Sequence, residues 1–108
     1  MNMENVNRLI EWYRANRPSG KTYVRIFQEP YMRLVIELQG DELWVGYWYE
    51  QNGDPVPDPV VIVNTNSQTG RVCNIFGPAT DDVYIHHFLG EVFGRIKRLD
   101  ESDKIEWK

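Results

Sequence analysis

The chain has one cysteine, no extended apolar run and, from Leu34 to Gly70, not a single lysine or arginine. A lone Cys73 excludes an internal disulfide, and the absence of anything near the roughly 18 apolar residues of a membrane-crossing helix excludes a span of that kind. Met1–Asn5 carries neither the basic nor the apolar region of a secretory signal, so a reducing, cytoplasmic setting is expected. No glycine-rich phosphate loop, no paired-cysteine metal signature and no nucleophile elbow occurs, and the usual marks of an enzyme are missing with them. Cys73 stands among apolar neighbours in an expected strand, where a small buried hydrophobe explains it better than a nucleophile.

What is present fits one domain of 108 residues with a formal charge of −4. That charge is uneven. Residues 1–33 carry six basic groups against three acids, whereas residues 34–70 carry Glu37, Asp41, Glu42, Glu50, Asp54 and Asp58 with no cation. Nonspecific nucleic-acid binding depends on Lys and Arg displacing counterions from phosphates, so the acidic middle argues against a nucleic-acid partner.

The spacing of Val6, Leu9, Ile10 and Tyr13 predicts a helix over residues 3–16, ended at Pro18 and Gly20. Alternation then predicts strands over residues 22–28, 32–38 and 43–50. Residues 51–59, rich in Pro, Asp and Gly, read as the main break; strands over 60–64 and 71–76 follow, and Gly77-Pro78-Ala79 ends the sheet. A closing helix is expected after a Thr80 cap, with Asp81 and Asp82 in its first turn and Ile85, Phe88, Leu89, Val92, Phe93, Ile96 and Leu99 as its buried stripe. The polar tail from about residue 100 frays unless Ile105 and Trp107 dock. The fold class is α+β: a helix, an antiparallel sheet of about five strands, and a helix packed on it.

Three features compete as sites. Trp44 and Trp48 share one face of a strand on either side of Gly46, with Tyr47 and Tyr49 on the other face; the indoles are either core beneath a helix or the walls of an open aromatic groove. Glu50, Asp54 and Asp58 surround the break, where turn chemistry explains them better than a metal, since their spacing matches no standard calcium loop. His86 and His87 are adjacent and cannot present one face to a metal. His87, Gly90 and Gly94 form a smooth strip that suggests a helix-to-helix contact in a homodimer. No cofactor and no metal is expected.

The run Tyr47-Trp48-Tyr49-Glu50-Gln51-Asn52-Gly53-Asp54, followed by Asp58-Pro59 and the strand Val60–Val63, resembles a family of small uncharacterised proteins carried by plasmids, conjugative elements and phages. The resemblance implies a setting in which small accessory proteins block host defence machinery, CRISPR effectors included, or regulate the element. The expected function is therefore noncatalytic binding of a protein partner through Trp44, Trp48, Tyr47, Tyr49 and the acidic residues Glu50, Asp54 and Asp58. Two alternatives stand beside it: a small-molecule or nucleotide binder in the aromatic groove, and a metal-assisted hydrolase built on Asp54, Asp58 and His86.

Overall fold

A computed structural model of the chain describes residues 4–29, 32–67, 69–74, 77–79 and 82–108; for residues 48–51, 54–59, 73–74, 77–79 and 82 the description is of the backbone. Helix α1 (Glu4–Asn16) is followed by strands β1 (Tyr23–Phe27), β2 (Leu34–Gln39), β3 (Glu42–Gln51), β4 (Asp54–Asn64), β5 (Gly70–Asn74) and β6 (Gly77–Ala79), then helix α2 (Asp82–Lys97) and strand β7 (Lys104–Trp107). All strand pairs are antiparallel, and the sheet runs β6-β5-β4-β3-β2-β1-β7. The α+β class and both helices match the sequence reading. Thr80 and Asp81, expected to cap α2, lie outside the described residues.

Three differences have physical causes. The expected break over residues 51–59 is strand apart from its tip: Gln51 pairs with Asp54 around Asn52 and Gly53, whose φ values of 54° and 85° are those of a type I′ hairpin turn. Prolines are tolerated in that arm because Pro55 and Pro57, at alternate positions, withhold the N–H on the same edge. β5 pairs with β4 only from Val60 to Val63, so that outer edge has no described partner to lose. Between Gly46↔Val60 and Trp48↔Pro57 the register shifts, a bulge that places extra chain in β4 near Asp58 and Pro59.

The second difference is at Gly77-Pro78-Ala79, which does not end the sheet but forms its edge strand, a place where proline is permitted. In the third, the tail supplies the opposite edge. Trp107 and Ile105 pair with Val24 and Ile26, and the Trp107 ring lies 6.3 Å from Trp12 and 5.7 Å from Tyr13. Backbone bonds from the Thr22 and Tyr23 N–H groups to the Lys108 carbonyl, returned from Lys108 N to Tyr23 O at 2.7 Å, close this edge. Burial makes the Tyr13 hydroxyl harder to ionise, and it donates to the Thr22 carbonyl at 2.7 Å.

Register fixes which side chains share a face. The row Val24, Ile36, Val45, Val61 and Val72 crosses five strands, and all of it joins one buried cluster with Val6, Leu9, Ile10 and Tyr13 of α1 and Ile85, Phe88, Leu89 and Val92 of α2. Both helices therefore cover the same side of the sheet. At Gly70 an added Cβ would stand 3.4 Å from Ile85 Cδ1, so α2 seats closely on β5 there.

The tail also carries a pH dependence. Glu106 is held below the usual carboxylate range chiefly by the hydrogen bond from Lys104, at 2.9 Å, with the charges of Lys104, Arg25 and Lys108 adding to it against a desolvation cost. Asp100 is lowered likewise, first by the Ser102 hydroxyl. A carboxylate with a depressed folded pKa contributes stability above its unfolded pKa, and that contribution disappears as pH falls through the folded value. Thermal unfolding followed through the acid range should accordingly show Glu106→Gln less acid-sensitive than the parent protein.

Candidate functional site

The opposite side of the sheet carries no helix among the described elements. One row crosses it as Tyr23, Glu37, Trp44, Ile62 and Arg71, and the next as Arg25, Val35, Gly46, Val60 and Cys73. Val35, Val60 and Ile62 are buried, yet they lie outside the helix-covered cluster. Trp44 is half-buried, with its Nε1 shielded from solvent and without a hydrogen-bond partner among the described residues. Neither helix lies over Trp44.

Around Trp44 the face mixes rings and guanidinium groups. Arg25 stands between Tyr23 and Phe27, 6.0 Å from each ring centroid, and its Nη2 lies 3.2 Å from Glu106. Arg71 Nη1 donates to Glu42 at 2.6 Å, a diagonal pair across β4. Both pairs are partly exposed and screened by solvent, so they fix side-chain positions more than they stabilise the fold.

Not every predicted residue falls here. Gly46 is buried, and the gap expected beside the indoles is closed at that position. Tyr47 belongs to the helix side, where its ring meets Phe88 edge-on at 5.5 Å. Trp48, Tyr49, Glu50, Asp54 and Asp58 all lie on the arms of the β3–β4 hairpin, not in an acidic loop, and their side chains fall outside the description. Among the described residues no group of three or more His, Cys, Asp or Glu could hold a metal, and no helix is long and apolar enough to cross a membrane.

A second concave region was only partly foreseen. A cleft of about 720 Å³ runs along α2 on the helix-bearing side, with Tyr47, His86, Gly90, Gly94 and Arg98 in its wall and Met32 at its side. Gly90 has an intramolecular explanation: a Cβ there would meet Asn5 Nδ2 at 3.1 Å, and that amide donates to the His86 carbonyl at 2.9 Å. The close helix approach at Gly90 is made by α1 of the same chain. Gly94 differs, for the nearest group a Cβ there would meet is the Arg98 guanidinium, at 3.4 Å. Since alanine is favoured over glycine by about 1 kcal/mol within a helix, Gly94→Ala should raise stability by about that amount. Gly90→Ala should gain little, because displacing Asn5 offsets the helical preference; urea denaturation of the two variants checks the difference.

Arg95, a basic residue in the last turn of α2, is buried. Its Nε donates to Gln28 Oε1 and its carbonyl accepts from Gln28 Nε2, both at 3.1 Å, while the guanidinium stands 5.2 Å from the Tyr47 centroid. Its position seven residues after Phe88 and three after Val92 puts it on the apolar stripe, a signal the sequence did contain.

A family model described as Domain of unknown function (DUF6908) matches residues 4–86. No curated protein and no solved structure matches the chain.

Proposed function

The chain belongs to the family of the domain of unknown function DUF6908, and from its surfaces we propose that it is a noncatalytic binding module that engages a protein partner through the helix-free face of its sheet. The observation that carries this reading is that Trp44 shares with Tyr23, Arg25, Phe27 and Arg71 a side of the sheet that neither helix covers. Aromatic and arginine side chains held in fixed positions are the usual anchors of protein interfaces. A nucleic-acid strand fits the same face poorly. Glu37 lies between Tyr23 and Trp44, and Arg25 and Arg71 are each matched by a carboxylate, which leaves little uncompensated charge for phosphates. The buried Gly46 also disfavours a small molecule slotted beside the indole.

The likeness of the Tyr47–Asp54 and Asp58-Pro59 stretches to proteins of plasmids and phages extends the proposal: the partner is a bacterial defence complex such as a CRISPR effector, blocked by occupation. Parallel affinity capture from a bacterial lysate tests the surface. A Trp44→Ala bait should lose, and a Tyr23→Ala bait recover less of, a protein that the parent bait and a helix-side Val83→Ala bait retain, whereas equal recovery by all four baits refutes the assignment.

A further inference from the structure

The two glycines of α2 are disfavoured in a helix relative to alanine, and each seats a hydrogen-bonding group at the cleft. Gly90 admits Asn5, whose Nδ2 lies 3.3 Å from His86 Nδ1 as well as bonding the His86 carbonyl. Gly94 lets the Arg98 guanidinium fold back against the helix, with Nη1 3.4 Å and Nη2 3.7 Å from where a Cβ would be. The carboxylate in the wall, Glu91, has its Oε1 3.1 Å from His87 Nε2. Tyr47 and the half-exposed Met32 add apolar surface. A volume of about 720 Å³ suits one small organic molecule.

We propose that this cleft is a binding site for a small organic anion, a flat apolar body bearing one phosphate or carboxylate, with the charge taken by Arg98 and the body lying along Gly94, Tyr47 and Gly90 toward the His86 ring. The site is on the opposite side of the sheet from Trp44 and does not depend on the partner surface.

Titration of the ¹⁵N-labelled protein tests it with four named probes: phenyl phosphate, benzoate, phenol and inorganic phosphate. Phenyl phosphate or benzoate should shift the amide signals of His86, Gly90, Gly94 and Arg98 saturably, with phenol and inorganic phosphate each at least about tenfold weaker, as the loss of a charge-assisted contact or of apolar contact implies. Arg98→Gln should weaken phenyl phosphate about tenfold. Gly94→Leu, which favours the helix and fills the cleft, should abolish binding in a protein at least as stable as the parent. The proposal is overturned if neither anion gives saturable shifts, if the shifts map to Tyr23 and Trp44, if phenol binds as well as phenyl phosphate, or if Gly94→Leu binds unchanged.

Discussion

Replacing Trp107 with alanine is expected to lower the unfolding free energy by about 2 kcal/mol, roughly half the loss for a fully buried tryptophan, because this ring is only partly covered. The indole is what attaches the tail to the body of the molecule. It lies against Trp12 and Tyr13 of α1 and sits across from Val24, so the side chain joins the edge strand to the helix as well as to the sheet. Four residues of strand on an outer edge cannot hold themselves by backbone bonds alone, since ordering each residue costs about 1–2 kcal/mol. Urea denaturation should show the loss. Hydrogen exchange should show its location, as faster exchange at the β1–β7 ladder with the β3–β4 ladder unaffected. Lys104→Ala, at the exposed start of β7, should change stability by less than about 0.5 kcal/mol. A Trp107→Ala protein as stable as the parent would mean that the tail rests on the sheet without supporting it.

Trp44→Ala carries the largest expected functional effect, a loss of partner affinity of at least about 30-fold, equivalent to about 2 kcal/mol at an interface hot spot. The argument is positional. Trp44 lies at the centre of a five-residue row, with Glu37 and Tyr23 to one side and Ile62 and Arg71 to the other, so a partner that covers this face has to cover Trp44. Truncation will also cost stability, because the ring is half-buried. Tyr23→Ala separates the two effects: it lies in the same row two strands away, and it should weaken binding several-fold while thermal unfolding remains close to that of the parent. Calorimetric titration of the captured partner with each variant supplies both affinities.

The helices were legible because their apolar spacing is regular. Val6, Leu9, Ile10 and Tyr13, predicted as the inner face of α1, are its buried residues, and Ile85 to Phe93 behave alike in α2. The long hairpin was not. Prolines at residues 55, 57 and 59 suggested a break, and the competing signal, Asn52-Gly53 between two strand-forming runs, is the stronger hairpin mark because both residues readily take positive φ. Strand β7 was hidden by polarity: Lys104 and Glu106 alternate with Ile105 and Trp107, and a strand that short is recognisable only once a partner edge exists. Of the site, Trp44 was readable only as one of two open alternatives, because the spacing of residues could not reveal that both helices choose the same side, a matter of how α1 and α2 meet at Asn5, His86 and Gly90. The cleft was half visible as the strip His87, Gly90 and Gly94, while the contributions of Met32, Tyr47 and Asn5 come from distant stretches of chain that only the fold assembles.

Hydroxyl-radical footprinting of the chain alone and in complex with its captured partner compares the two sides of the sheet in one measurement. Protection of Tyr23, Phe27 and Trp44, with Tyr84 and His87 labelled as in the free protein, is the predicted result. Unchanged labelling of Tyr23, Phe27 and Trp44 together with protection along α2 would contradict the account.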